Sequence, residues 1–192
     1  MPDTYPDATI LVVDDEPNVA ESYALRLGMQ YDHVETAIGG EAAMDFLETA
    51  GADVVLLDRR MPEMHGDDVA RKIQQDLDYD PRVIMATAVE ADFDIVEMPF
   101  NDYLQKPIGK EDMITAVQQQ LEARVHGQKL SEYFSCRSTL EVLEAEKSTS
   151  ELGDSEEYQR LQEKAQSIEE DLAQTVDEFD EVAKFFDTID RA

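Results

Sequence analysis

The chain has 192 residues, 42% of them hydrophobic, which is enough for one ordinary domain with its own core plus an appendage. Its net charge of −29 opposes direct contact with nucleic acid or anionic membranes. No stretch approaches the roughly 20 apolar residues of a membrane span. The start, MPDTYPDATI, has neither a basic region nor an apolar signal core, so a cytoplasmic protein is expected. Acids outnumber bases throughout, 27 to 9 over residues 1–126 and 18 to 7 over 127–192. Acidity spread this evenly keeps a protein dispersed where salt screens self-repulsion, and points to a halophilic source. Unfolding on dilution from molar salt to roughly 0.1 M tests that expectation. Cys136 is the only cysteine, so neither an internal disulfide nor a cysteine-based zinc site can form. His33, His65 and His126 are scattered without ligand spacing and read as surface or turn residues.

Thr9–Val13 (TILVV) is a β-type apolar run that ends in Asp14, Asp15 and Glu16. Pro17 suits the first turn of a helix over Asn18–Met29, with Val19, Ala20, Tyr23 and Leu27 on one face. His33–Ala37 reads as a strand and Gly39-Gly40 as a turn. Glu41–Thr49 reads as a helix with Ala42, Phe46 and Leu47 inward, stopped by Gly51. Val54–Leu57 is a continuous apolar run, as in a strand buried on both faces. It ends on Asp58, and Pro62 and Gly66 then break regular structure. Asp67–Leu77 is a helix carrying Val69, Ile73 and Leu77, and Arg82–Ala86 is a fourth strand ending at Thr87. Asp102–Gln105 is a short fifth strand ending at Lys106-Pro107. Lys110–Val125 is a last helix, with Met113, Val117, Leu121 and Val125 one turn apart.

Alternating strands and helices predict an α/β fold with a parallel sheet and right-handed crossovers. The flavodoxin-like (βα)5 order 2-1-3-4-5 has its switch point between strands one and three. The strand ends carrying Asp14-Asp15 and Asp58 then meet at one crevice. Like charges there repel, so full ionisation calls for a cation. All-oxygen ligands suit Mg²⁺, which takes one or two carboxylates, waters and a substrate phosphate. A carboxylate nucleophile that forms an acyl phosphate is known chemistry. Thr87 and Lys106, at strand ends on the same rim, offer a hydroxyl and a cation for phosphoryl oxygens.

Asp14-Asp15, the LLDxxMPxMxG run around Asp58, Thr87-Ala88 and DYLxKP from Asp102 to Pro107 together resemble the receiver domain of two-component response regulators, over about Thr4–Val125. The resemblance implies that Asp58 is the phosphoacceptor. It implies Asp15 as a direct Mg²⁺ ligand, Asp14 as one acting largely through water, and the Arg60 backbone carbonyl as the third protein ligand. Thr87 resembles the switch hydroxyl, and Tyr103 the aromatic that turns inward as that hydroxyl moves. Lys106 resembles the residue that pairs with the phosphoryl group, and Pro107 stands where the family commonly has a cis peptide. Glu16 reads as a helix N-terminal charge, and Met61 and Met64 as packing residues. A sensor histidine kinase is the implied partner.

Between Thr87 and Tyr103 the family has a full helix, whereas AVEADFDIVEMPFND is shorter by about 4 residues and contains Pro99. A short or irregular element is expected, and it is expected to be the most mobile part of the receiver.

Gly127 marks a boundary between a receiver over 1–126 and a helical domain over 127–192. Leu130–Lys147 reads as a helix and Ser148–Asp154 as a turn. Beyond Ser155, Tyr158, Ala165, Leu172, Phe179 and Phe186 recur every seven residues, with Leu161, Ile168, Thr175, Val182 and Ile189 between them. That spacing is a coiled-coil seam. Two readings stand: a hairpin in which the long helix packs on its shorter partner, and a coiled coil that makes a homodimer. A helix of about 34 residues outlasts the shorter segment, which favours contact between chains. The segment resembles the HalX-type extension of haloarchaeal receiver proteins. No helix-turn-helix with a basic recognition helix is present.

Three functions compete. The first is a phosphorylation switch whose C-terminal helices dock an output protein of unknown identity. The second is a transcriptional regulator acting through those helices, and the third is a phosphate sink or relay intermediate. A conventional enzyme is not expected, since the chain has no Gly-rich phosphate loop, Ser/His/Asp set or nucleotide fingerprint.

Overall fold

The computed structural model describes residue 5 and residues 7–88, 93–126 and 128–175. Five parallel strands run β1 (Thr9–Asp14), β2 (His33–Ile38), β3 (Val54–Asp58), β4 (Arg82–Thr87) and β5 (Asp102–Gln105). Their order is β2-β1-β3-β4-β5, as the sequence pattern predicts. β3 is buried at every position, so its apolar run has no solvent-facing side. β2 and β5 are the edges, and in β2 only Ala37 is buried.

The helices are α1 (Pro17–Leu27), α2 (Gly40–Thr49), α3 (Gly66–Asp76) and α4 (Lys110–His126). Beyond them lie α5 (Gln128–Glu146), α6 (Thr149–Asp154) and α7 (Glu156–Thr175). α1 buries Ala20, Tyr23 and Leu27, and ends where the Gly28 N–H donates to the Ala24 carbonyl. The inward face of α2 is Ala43, Met44 and Leu47. Ala42 is exposed, which corrects the expected face by one position: residues three and four apart share a face, and Leu47 pairs with Ala43 and Met44.

The expected turn at Ser148–Asp154 is instead α6, a short helix. The Ser148 side chain accepts from the Glu151 N–H, and the Glu151 carboxylate accepts from the Ser148 N–H. This Ser-x-x-Glu capping box satisfies N–H groups that helix formation leaves open, and so starts a helix where a turn was expected.

Between β4 and β5 the described part is a single 3-10 helix, Phe93–Glu97, with Ile95 buried at 1% exposure. Residues 89–92, on which part of the mobility expectation falls, lie outside the described residues. So does Gly127, the expected boundary, and so do the seam positions Phe179, Val182, Phe186 and Ile189.

Strand residues alternate between two cores. Ile10, Val12, Leu56, Ile84 and Leu104 face α1 and α4, with Leu27, Met113, Val117 and Leu121. Leu11, Val13, Val55, Leu57, Val83, Met85 and Tyr103 face α2 and α3. Cys136, Leu140 and Leu143 of α5 and Tyr158 and Ala165 of α7 belong to that second core. α7 runs antiparallel to α5. Lys129 Nζ lies 2.8 Å from Asp171 Oδ2, Lys164 Nζ lies 2.7 Å from Glu132 Oε1, and the Tyr158 hydroxyl donates to Glu144 Oε1 at 2.6 Å. Leu172 packs with Leu130, Tyr133 and Phe134. The described half of the heptad seam therefore faces α5.

Candidate functional site

Parallel strands all end at one rim, and β1, β3, β4 and β5 bring Asp14, Asp58, Thr87 and Lys106 to it. Asp14 and Asp58 are 3% and 6% exposed, and Thr87 is fully buried. Lys106 Nζ reaches between the two carboxylates, 2.6 Å from Asp14 Oδ2 and 2.7 Å from Asp58 Oδ1. The remaining oxygens are also held. The Glu16 N–H donates to Asp14 Oδ1 and the Arg60 N–H to Asp58 Oδ2, each at 2.9 Å. The Lys106 N–H donates to the Thr87 carbonyl at 2.8 Å, which ties β5 to β4 at the rim. The Lys106-Pro107 peptide is cis.

Burial pushes the Asp58 carboxyl above the ordinary carboxylate range, against the pull of Lys106 and the Arg60 N–H. At Lys106 burial pulls downward, but the bonds to Asp14 and Asp58 outweigh it and hold the ammonium above the usual lysine value. Two buried carboxylates share one cation, so the pocket is short of positive charge.

The other predicted residues distribute as follows. Asp15 is half-buried and lines a cleft of about 240 Å³ with Gly39, Gly40, Pro62, Glu63 and Met64. Arg60 is exposed beside Asp58. Tyr103 is 1% exposed, its ring centroid 5.8 Å from that of Phe100. Glu16 is exposed at the N-cap of α1. Met61 is buried, and Met64 packs on the second core. His33 and His65 are exposed, and the His126 side chain lies outside the described ones. Among the described residues no three His, Cys, Asp or Glu side chains form a ready-made metal cage. The fit of a cation rests instead on Asp14 and Asp58, which already converge on a positive charge, and on the hard oxygen chemistry of both.

Gly66, expected to break regular structure, instead opens α3, and Arg59 fixes the loop before it. Gly66 starts α3 so close to β3 that a Cβ there would lie 2.3 Å from the Asp58 carbonyl oxygen. Arg59 is buried, with Nε 3.2 Å from Asp67 Oδ1, and pins the same loop to α3. The glycine is legible as a motif position, whereas the Arg59–Asp67 pair has no signature of its own.

A model of the response regulator receiver domain matches residues 10–118, and one of the HalX domain matches residues 122–189. The chain belongs to the response regulator receiver family. In this receiver protein a HalX domain follows the receiver domain. A Haloferax volcanii protein with a provisional transcriptional-regulator name is 42% identical over 72% of this chain and 24% of its own length. The transcriptional regulatory protein CutR of Streptomyces coelicolor is 38% identical over 56% of this chain and 51% of its own. The chain thus spans about a quarter to a half of the length of these curated relatives. Among solved structures, the BeF3-activated DrrB receiver domain is 27% identical, with a TM-score of 0.54, over 60% of this chain and 98% of that one. A CheY-like receiver protein from Methanospirillum hungatei is 29% identical, with a TM-score of 0.51, over 57% and 90%. Among the described residues no helix is long and apolar enough to cross a membrane.

Proposed function

We propose that this receiver protein is a cytoplasmic phosphorylation switch. Asp58 accepts a phosphoryl group from a sensor histidine kinase, and the C-terminal helices pass the change to an output protein. The observation that carries this reading is the Lys106 ammonium shared by Asp14 and Asp58 at the strand rim.

An Asp58 carboxylate oxygen forms the new bond to phosphorus as the bond between phosphorus and the donor breaks. Lys106 leaves its carboxylate partners to pair with a phosphoryl oxygen, and the Thr87 hydroxyl donates to another. Tyr103, beside them on β5, follows the movement of Thr87. Asp14, Asp15, Asp58 and the Arg60 carbonyl would hold Mg²⁺, which supplies neutralisation of the charge that develops on the phosphoryl oxygens. The product is one acyl phosphate per chain, so conventional turnover is not part of the proposal.

Asp58→Asn should abolish the mass gain of one phosphoryl group seen after incubation with Mg²⁺ and a small-molecule phosphodonor. Undiminished incorporation in that variant would place the acceptor elsewhere. Asp15→Asn should weaken Mg²⁺ binding, and unaltered affinity would remove Asp15 from the ligand set.

A homodimer belongs to the same proposal. α5 already begins opposite Leu172, while the seam repeat continues through Phe179, Val182, Phe186 and Ile189 in the sequence. A second copy is the proposed occupant of those later positions. Sedimentation at high salt, with and without the phosphodonor, tests it. The names of the relatives favour a second reading, transcriptional control through the HalX domain. The −29 charge opposes direct DNA contact, and a shift assay at high salt separates the two.

A further inference from the structure

At the end of the sheet opposite the acid pair, a cavity of about 600 Å³ opens between α3, the start of β4, the run before β5, and α5. Arg82 begins β4 and Thr87 ends it, so a strand length, about 16 Å, separates the cavity from the phosphoacceptor rim. A cavity of this volume takes a small organic molecule rather than a single ion. Ile73, Pro81 and Phe100 give it an apolar wall, and Arg82 and Asn101 give it donors. Asn101 Oδ1 accepts from the Val83 N–H at 2.7 Å, which fixes the amide and leaves its NH₂ for another acceptor.

Arg82 is the group that points to a ligand. Its side chain is 12% exposed, and its Nε is buried with no hydrogen-bond partner among the described residues. Nη1 donates to Ser131 Oγ of α5. Its carboxylate partner, Asp80, stands 4.0 Å away with an 81% exposed side chain, so water screens the attraction. Burial holds the guanidinium below its usual range; Asp80 pulls it upward, and Arg124 adds to the effect of burial. The other charges on the wall are matched, Arg124 by Asp53 and Glu132 by Lys164. The cavity thus holds a cation whose charge is met only across solvent, in a chain of net charge −29. A guanidinium carries five N–H donors, and leaving buried ones unmatched is costly. A carboxylate fits its planar fork and brings one negative charge, whereas a doubly charged phosphate brings more than one guanidinium neutralises. We propose that this cavity binds a small monocarboxylate with an apolar body, its carboxylate held by Arg82 and Asn101 and its body against Ile73, Pro81 and Phe100. Ser131 and Ser135 bring the HalX domain to the same wall, so a bound acid bridges the two domains and ties their joint stability to the ligand's concentration. The site makes no use of the phosphoacceptor reading of Asp58 and is tested apart from it.

The test uses the full chain in high salt, with 4-fluorobenzoate as the probe and 4-fluorobenzamide as its neutral twin. Each is titrated and followed by fluorine NMR. The expected result is saturable binding of the acid with a Kd on the order of 1 mM, and binding of the amide about tenfold weaker. The Ile73 methyl signal should shift with the acid, while that of Ile108, beyond Lys106 at the opposite rim, stays where it is. Arg82→Gln should bring the acid down to the affinity of the amide, so that the two bind alike. Equal affinities in the wild type, an unmoved Ile73 signal, or discrimination that survives Arg82→Gln each overturns the proposal. So does the absence of saturable binding of the acid up to about 50 mM. Should Arg82→Gln not fold, the wild-type comparison of acid and amide, with the Ile73 shift, decides alone.

Discussion

On one side of the sheet, α1 lies against β1 and β2, and α4 lies against β3, β4 and β5. Every element of that side falls within the receiver match or its last helix. On the other side α2 lies against β1 and β2 with α3 beside it, and β5 is met by α5. The same apolar cluster runs from Leu11 and Val55 through Tyr103 to Leu140 and Tyr158. The first side shows how a receiver closes on itself. The second shows a receiver in which the short 3-10 segment shares the covering of the strands with the HalX helices, Ile95 and Phe100 lying in the same cluster as Leu140 and Tyr158. The difference teaches that an extension can be part of the core it follows, so loss of the extension is felt at the strand that carries Lys106.

Leu140→Ala is the largest test of this contrast. Leu140 is 3% exposed, and a cavity there should cost about 3 kcal/mol, as Leu121→Ala should on the opposite side. Both variants should melt in one calorimetric transition. A separate early transition for Leu140→Ala would show that the second side is two units laid together. Lys106→Met comes next. It leaves Asp14 and Asp58 buried without their shared cation, at a cost of about 3 kcal/mol, the low end for a buried pair because the lysine side chain is 18% exposed. Added Mg²⁺ should restore more stability to this variant than to wild type in chemical denaturation. Tyr158→Phe deletes the hydroxyl bond to Glu144 across the hairpin and should lower stability by about 1 kcal/mol.

The smallest effect has the opposite sign. Folded Asp58 holds its proton more tightly than the unfolded chain does, because burial raises its value. Its ionisation therefore subtracts stability as pH rises from the ordinary carboxylate value through the raised one. A carboxamide does not ionise, so Asp58→Asn should match wild type in acid and exceed it in stability at neutral pH without Mg²⁺. A variant less stable than wild type at neutral pH would show that the Lys106 bond outweighs burial.

Most of the receiver is legible in the sequence alone. Runs such as VVLLD announce a strand buried on both faces, and carboxylates at two strand ends meet once the strand order is right. Register and packing were less legible. Ala42 and Ala43 look alike in a periodic pattern, and only the neighbours decide which points inward. Ser148–Asp154 reads as a turn because loop-forming residues also cap helices, and Glu151, three residues after Ser148, is the signal that separates the two. The Arg59–Asp67 pair and the Ser138 hydroxyl that accepts from the Tyr103 N–H leave no such trace, because lone charges and serines on a helix ordinarily face water.

What the sequence determined by itself was periodicity and chemistry: which segments are strands, which are helices, and which acids, hydroxyl and lysine stand at strand ends. These are local properties, written in neighbouring residues. Only the tertiary structure decided what covers β5. That choice depends on a segment more than thirty residues further along, Ser138 against Asp102, finding an open edge and an unfilled apolar face at the same place. Contacts so distant in the chain are set by shape and by unsatisfied hydrogen-bonding groups, and neither leaves a periodic trace in the residues that meet.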